Sequence, residues 1–286
     1  MGVIDQPDHY PTILEHVWEL INTKGPLSKD DVHDLLVPVY FAPTAHDSFS
    51  KTLKLGMELG VFTELNGLLS NTIDSSKYFQ SELRRICFDQ ELNPISRLME
   101  KAGNFQLAVA WILSFPITEI PYDFASARTK LINDFGPEYE NWVIRNGDQW
   151  NVFLKWINYL GLTRTIPILT SSKEVNSIFR VDLSNLVLEF IQLFPPRSTI
   201  EAHTFITDLI RWCPVLPGGL VWAELPEKSR SRSSTDSELL GISLKYLASK
   251  GEIVIKVESD LENRVTFTFS NGDHLRIDLI ELGMSI

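Results

Sequence analysis

The sequence has few cysteines, no long apolar run and no motif of a common active site. Its two cysteines, Cys87 and Cys213, are far apart in the chain, and neither has a Cys or His neighbour at a metal-ligand spacing. We therefore expect two buried thiols rather than a disulfide or a zinc site. No stretch approaches the ~18 uninterrupted apolar residues of a transmembrane helix.

Catalytic signatures are also missing. The chain contains no G-x-S-x-G, no H-E-x-x-H, no Walker A and no G-x-G-x-x-G after a predicted strand. The acidic cluster of Asp30, Asp31 and Asp34 falls in the first turns of a predicted helix, where carboxylates complement the helix dipole. The sequence thus offers no catalytic residue, no metal ligand set and no cofactor site, and we expect a protein that is not an enzyme.

The opening residues carry no targeting signal. They include two acids and lack both the basic and the apolar region of a secretory signal. Gln6 stands where N-myristoylation favours Ser or Thr. These features predict a cytoplasmic protein.

The chain is acidic, which restricts how it could bind DNA. Lys and Arg number 26 against 37 Asp and Glu, a formal net charge of -11, and residues 1–80 alone carry -6. A free-standing DNA-binding protein more often has an excess of basic residues, so any contact with DNA must be local. The acidic N-terminal third favours a protein partner or self-association.

A short pattern occurs three times in the chain. Leu-Lys is followed by five residues and then by Gly, in Leu53–Gly60, Leu154–Gly161 and Leu244–Gly251. Each copy has the features of a helix that ends at the Gly, because glycine readily adopts the left-handed conformation of a helix C-terminus. The predicted N-caps are Asp47 or Ser48, Asp148, and Asp236 or Ser237.

A strand-like run follows each glycine. The first is Val61–Leu65, and it closes at Asn66-Gly67, a strong signal for a two-residue hairpin turn. The second, Leu162–Ile166, is doubtful as part of a wing because Pro167 cannot donate to a central ladder. The third, Ile253–Val257, is followed by Arg264–Phe269 and by a run over His274–Ile280.

A helix, a Gly stop and a hairpin resemble the second half of a winged-helix module. Upstream of the first copy, Thr12–Asn22 and Leu27–Leu36 read as two shorter helices, the second capped by Ser28. Upstream of the third copy, Thr199–Trp212 reads as a helix and Gly218–Leu225 as strand-like. Glu227–Thr235 reads as a mobile, low-complexity loop.

These patterns predict a mainly α protein with small β-hairpin wings (α+β), built from tandem winged-helix modules joined by a helical middle region. We expect an N-terminal winged helix over residues 1–75 and a C-terminal winged-helix-like domain over residues 197–286. The middle region, residues 76–196, contains a candidate degenerate winged helix at 105–170.

Basic side chains on the outer helix faces, wings and loops are the candidates for DNA contact, since a winged helix reads DNA with its third helix and touches phosphates with its wing. Three closely spaced tryptophans are candidates for a protein interface, where Trp is favoured. The DNA-contact candidates are Lys155, Arg164, Lys228, Arg230, Arg232, Lys245, Lys250, Lys256 and Arg264; the interface candidates are Trp142, Trp150 and Trp156.

Two bacterial families share these features. Tandem winged helices in an acidic chain resemble the kleisin-interacting subunits of condensin-like complexes. The stretch Arg211–Pro217 and the helix that opens the chain resemble the DpdG family, accessory proteins of phage-defence islands that modify DNA with 7-deazaguanine and restrict unmodified DNA. The second resemblance implies antiviral defence; neither supplies functional residues that could be carried over.

We therefore expect an adaptor or DNA-contacting winged-helix subunit of a bacterial phage-defence complex. Its expected partners are other protein subunits, double-stranded DNA and a second copy of the chain, with no membrane. A condensin-like (SMC–kleisin) accessory subunit and a winged-helix transcriptional regulator are the alternatives.

Overall fold

A computed structural model describes residues 3, 8–37, 43–74, 78–88, 103–117, 119–137, 139, 144–169, 175–232, 237–258 and 264–283. The chain divides into two compact units. The first comprises Met1–Gln106 with Glu140–Leu160, and the second comprises Leu107–Tyr139 with Gly161–Ile286. The domain boundaries predicted after residues 75 and 196 stay predictions.

Helices make up most of the regular structure. In the described part of the chain they are α1 (Pro11–Lys24), α2 (Lys29–Leu36), α3 (Pro43–Glu58), α4 (Phe79–Phe88), α5 (Gly103–Leu113), α6 (Phe124–Phe135), α7 (Gly147–Tyr159), α8 (Ser184–Ile191), α9 (Ala202–Trp212), α10 (Leu220–Ala223), α11 (Glu227–Arg230) and α12 (Glu238–Ser249).

The strands are short, and every pairing described between them is antiparallel. Mainly helical structure with small antiparallel sheets confirms the predicted α+β class. The strands are β1 (Leu27–Ser28), β2 (Phe62–Leu65), β3 (Leu68–Asn71), β4 (Thr163–Leu169), β5 (Val175–Val181), β6 (Thr199–Glu201), β7 (Ile253–Lys256), β8 (Val265–Thr268), β9 (His274–Ile277) and β10 (Leu279–Leu282).

The first unit begins with three helices and a three-stranded sheet. β1, β3 and β2 pair in that spatial order, so β3 is the central strand. Asn66 and Gly67 connect β2 to β3 with φ values of 53° and 79°, and two successive positive φ angles are characteristic of a type I′ hairpin turn. The Asn-Gly hairpin predicted from the sequence is confirmed.

The core of the first unit is apolar and rich in aromatic residues. Leu14 of α1 and Leu55 of α3 are fully buried. Phe105 contacts the edges of Phe153 and Trp156, with ring centroids 6.1 Å apart in both pairs. These contacts attach α7 to the first turn of α5, which belongs to the first unit.

All three glycines of the repeated pattern have the predicted conformation. Gly60, Gly161 and Gly251 have φ values of 77°, 70° and 78°, and β2, β4 and β7 follow them. A residue with a β-carbon is disfavoured at such angles. The pattern therefore marks three helix-to-strand transitions.

Some of the predicted caps are wrong. α3 begins at Pro43, so Asp47 and Ser48 lie inside the helix rather than at its N-cap. Asn146 caps α7 by accepting a hydrogen bond from the amide of Gln149, and Asp148 lies in the first turn. Ser28 and Ser237 cap α2 and α12 as predicted.

The second unit contains a second three-stranded sheet with the order β6-β10-β7. Glu201 pairs with Leu279 of β10, so Thr199–Glu201 is a strand and not the start of a helix as the sequence predicted. Asp278 separates β9 from β10 within the predicted run His274–Ile280.

The remaining strands of the second unit form two hairpins, β4-β5 and β8-β9. In the β4-β5 hairpin, Pro167 lies opposite Ser177. Proline is tolerated in a two-stranded ribbon because each strand has a side without a ladder partner.

A strand prediction and a loop prediction in the second unit are wrong. Gly218–Leu225 does not form a strand: it contains α10, whose first amides, those of Val221 and Trp222, donate to the carbonyl of Pro214. The predicted mobile loop Glu227–Thr235 is structured over residues 227–232, because residues 227–230 form α11 and Ser229 is fully buried. Residues 233–235 lie outside the described residues.

Candidate nucleic-acid interface

α12 has one apolar face and one polar face. Leu240, Leu244 and Leu247 are at most 3 % exposed and pack into the second unit. Ser243 is also buried, and its hydroxyl donates to the carbonyl of Leu239. The exposed face consists of Lys245, Tyr246, Ser249 and Lys250.

An aromatic ring lies between basic groups on that face. Tyr246 is 38 % exposed. The guanidinium carbon of Arg164 lies 5.8 Å from its ring centroid, and Nζ of Lys250 lies 5.5 Å from it. Both distances fall within the ~6 Å range of cation–π interactions. We call Arg164, Arg180, Tyr246 and Lys250 the Tyr246 patch.

The β4-β5 hairpin supplies the two arginines of the Tyr246 patch. Arg164 and Arg180 are directly opposite in the register, an arrangement of like charges that is unfavourable unless an acid intervenes. Asp182 is that acid: its Oδ2 lies 3.1 Å from Nη2 of Arg164, and its Oδ1 accepts a hydrogen bond from the amide of Ser184. Asp182 therefore fixes Arg164 beside the N-terminus of α8.

Glu238 connects the start of α12 to two loops. Its carboxylate accepts hydrogen bonds from the amide and the hydroxyl of Ser270, at 2.8 and 2.7 Å, and from the amide of Ile117 at 3.3 Å. Burial acts to raise the pKa of Glu238, but these hydrogen bonds outweigh it and lower the pKa below its ordinary value. An ionised Glu238 thus holds the β8-β9 turn against α12.

The other predicted cations lie outside the Tyr246 patch and mostly have intramolecular partners. Nζ of Lys155 lies 4.3 Å from the ring centroid of Tyr10 in the first unit. In the second unit, Lys228 donates to the carbonyl of Asn133, Lys256 pairs with Glu281, and Nζ of Lys245 lies 5.7 Å from the ring centroid of Phe269. Arg230 is half-buried. The predicted DNA contacts of these residues stay predictions.

Arg232 belongs to a buried cluster. It pairs with Asp134 of α6, whose side chain is 1 % exposed, and its guanidinium carbon lies 4.0 Å from the ring centroid of Phe115. Nε1 of Trp111 donates to the same carboxylate at 2.7 Å. Arg232 thus compensates a charge that is otherwise removed from water.

Arg264 pairs with another buried acid. Asp278 is 2 % exposed; its carboxylate accepts hydrogen bonds from Nε of Arg264 at 3.0 Å and from the amide of Glu258 at 2.6 Å. The hydrogen bond from Arg264 holds the pKa of Asp278 below its ordinary value, against the opposing effect of burial. This pair connects the start of β8 to the turn between β9 and β10.

The Asp278 pair predicts how stability depends on pH. Because the folded state lowers the pKa, the ionised carboxylate stabilises the fold above the ordinary Asp pKa of about 3.9, and this contribution is lost as the pH falls through the lower folded pKa. We expect Asp278→Asn to lower the thermal midpoint at pH 7, and the difference from wild type to shrink as the pH falls below ~4. Thermal unfolding followed by circular dichroism from pH 7 to pH 2 measures it.

Asp208→Asn is the matched control, because Asp208 forms an exposed pair with Arg211 three residues along α9. It should change the midpoint little at any pH. A midpoint difference for Asp278→Asn that stayed constant down to pH 2 would contradict the assignment.

Two of the three tryptophans predicted at an interface are buried. Trp150 is 2 % exposed and Trp156 is fully buried, with its indole N–H donating to the carbonyl of His9. Trp142 lies outside the described residues. The described tryptophans of this group therefore serve the core of the first unit.

Sequence reasoning missed two members of the Tyr246 patch. Tyr246 lies four residues before Lys250 on a helix, a spacing that places both on one face. Arg180 was missed because β5 was not recognised as the partner of β4, and only the hairpin brings it opposite Arg164. Among the residues that the structure describes, no group of three or more His, Cys, Asp or Glu side chains could hold a metal ion, and no helix is long and apolar enough to cross a membrane.

Comparison with known proteins identifies the family. A family model described as DpdG-like matches residues 1–261, almost the whole chain. No curated protein and no solved structure matches the chain. The match confirms the resemblance inferred from the sequence: the chain belongs to the DpdG-like family.

Proposed function

We propose that this protein is a non-enzymatic subunit of a bacterial phage-defence complex that contacts duplex DNA through a winged helix in its second unit. Membership of the DpdG-like family supports the defence context. The Tyr246 patch on the exposed face of α12 is the observation that carries the DNA contact.

The element order of the first unit supports a winged helix there. Its elements run α1, β1, α2, α3, β2, β3, and its sheet has the order β1-β3-β2. A helix, a short strand, two further helices and a hairpin that pairs back on the first strand make up the winged-helix arrangement. α3 is the third helix of this module.

The second unit repeats that order with insertions. α8, β6, α9, α12, β7 and β10 correspond to the six elements of the first module, and the sheet order β6-β10-β7 corresponds to β1-β3-β2. α10 and α11 are inserted before the third helix, and the β8-β9 hairpin is inserted in the wing. The proposed second module thus begins at α8, not at residue 197.

In this proposal α12 is the recognition helix. The third helix of a winged-helix module, which is the second helix of its helix-turn-helix, enters the major groove, and its outer face meets the DNA. The outer face of α12 presents Lys245 and Lys250, and β4-β5 adds the two arginines of the Tyr246 patch. The basic groups are thus gathered on one face of an acidic chain, as local binding to phosphates requires.

The proposal is tested by fluorescence anisotropy of a labelled duplex across a salt titration. We expect the affinity of the wild type to fall steeply with salt, because each neutralised phosphate contributes about 0.9 to the slope of log K against log salt. In Lys245→Ala/Lys250→Ala the slope should fall by about 2 and the affinity should drop at low salt.

The matched control is Lys155→Ala/Lys256→Ala, which removes the same charge at two lysines that contact Tyr10 and Glu281. It should keep the wild-type slope. Equal slopes for both double variants would reject α12 as the contact surface. No binding at low salt would reject DNA contact altogether.

A protein adaptor is the second candidate function. At the β2-β3 turn, Leu65 is 70 % exposed and Leu68 is 42 % exposed. Exposed leucines at a wing tip in the most acidic third of the chain favour a protein partner over DNA. A condensin-like accessory role would use this tip with little DNA sequence preference, whereas a transcriptional regulator would bind one duplex sequence as a dimer.

A further inference from the structure

A cavity opens beside Tyr246 in the second unit. The cavity has a volume of ≈ 210 Å³. Three of the four members of the Tyr246 patch line it, namely Arg164, Arg180 and Tyr246. Its lining also includes four aliphatic side chains: Ile117, Val181, Leu239 and Ile242. The site therefore combines an apolar wall, an aromatic ring and two guanidinium groups.

The size of the cavity restricts its ligand. Sites for drug-sized molecules measure about 300–1,000 Å³, so a space of ≈ 210 Å³ suits a single ring system. Two arginines at the rim favour an anionic group, since a guanidinium binds phosphate through paired N–H donors. A ligand with a flat ring attached to a phosphate fits both the size of the cavity and the two arginines at its rim.

One arginine of the rim is held in place. Asp182, which also lines the cavity, pairs with Nη2 of Arg164 while its other oxygen accepts the amide of Ser184. Fixing the guanidinium in advance lowers the entropic cost of binding an anion. Asp182 is thus a positioning residue for the rim.

We propose that this cavity binds one nucleotide, with the base against Ile242 and Tyr246 and the phosphate at Arg164 and Arg180. The inference rests on the proposed function, because the Tyr246 patch is also part of the DNA surface. An unpaired nucleotide of a DNA strand is the expected source, since a base can enter such a pocket only when it is outside the stack. A free nucleotide has the same chemistry.

The first test compares three labelled DNAs by anisotropy: a paired duplex, the same duplex with one bulged nucleotide, and the bulged duplex with an abasic site at the bulge. We expect the wild type to bind the bulge about tenfold more tightly than the abasic form, because stacking on an aromatic side chain is worth that factor. Equal affinity for the two, together with no binding of a free deoxynucleotide to the cavity, would overturn the inference.

Ile242→Phe fills the cavity without touching the charged groups. It should abolish the preference for the bulge over the abasic form and leave the affinity for the paired duplex unchanged, whereas Ile242→Leu should retain the preference. Thermal unfolding shows whether each variant is folded. If Ile242→Phe does not fold, Ile117→Phe fills the same cavity from another part of the chain. A preference that survives cavity filling would overturn the inference.

Calorimetric titration with a deoxynucleoside monophosphate distinguishes the two sources of the ligand. If the nucleotide binds saturably and Ile242→Phe abolishes that binding, the cavity is assigned to free nucleotides. If the bulged DNA is preferred but the free nucleotide does not bind, the cavity is assigned to DNA strands. The absence of both signals would overturn the inference. Salt-dependent binding of the paired duplex would still support the proposed function in that case, so the two failures are distinguishable.

Discussion

Arg232→Ala is expected to lower the free energy of unfolding of the second unit by about 3 kcal/mol, because it leaves the buried carboxylate of Asp134 without its cation. The loss of the contact with the ring of Phe115 adds to this effect. Chemical denaturation followed by circular dichroism and Trp fluorescence measures the change.

The matched control is Arg211→Ala, which removes an arginine from an exposed pair with Asp208. It should cost less than about 0.5 kcal/mol. Adding Asp134→Asn to Arg232→Ala should restore part of the stability, since a neutral amide can still accept the indole N–H of Trp111. A cost for Arg232→Ala no larger than that for Arg211→Ala would contradict the buried ion pair.

Gly219→Ala is expected to lower the free energy of unfolding by about 2–3 kcal/mol through a steric clash. A β-carbon at this position would lie 2.3 Å from the carbonyl oxygen of Pro214. That oxygen accepts hydrogen bonds from the amides of Val221 and Trp222, so moving it also weakens the start of α10. The φ of Gly219 is -79°, which any residue can adopt, so the cost is one of space.

Leu220→Ala is the control for this position. Leu220 is the next residue in the chain and is 61 % exposed, so its truncation should change the stability by about 0.5 kcal/mol or less. If both variants unfold at the same denaturant concentration, the close approach between Gly219 and Pro214 is absent in solution.

Local signals in the sequence predicted much of the secondary structure. The caps at Ser28 and Ser237, the Asn66-Gly67 turn and the three helix-ending glycines depend on a few neighbouring residues, and each is confirmed. These features require no knowledge of distant contacts, because a cap or a turn is satisfied within four residues.

Features that depend on distant partners were not predictable in this way. Thr199–Glu201 has the apolar spacing of a helix start, yet it is a strand because β10 pairs with it. Gly218–Leu225 contains the short helix α10, whose first turn donates hydrogen bonds to the Pro214 carbonyl. The Tyr246 patch likewise requires β4-β5, whose second strand carries no strong local signal. Tertiary contacts override local propensity in each case.

The position of β10 in its sheet has a consequence for how the chain is made. β10 pairs with both neighbours, through Ile280 opposite Ile200 and opposite Ile255. The first sheet, by contrast, is complete within residues 27–71. Contacts between residues far apart in sequence form slowly because a long loop must close first. During translation the first sheet can assemble early, whereas the second must wait until residue 282 has left the ribosome, and until then β6 and β7 have no central strand to join them.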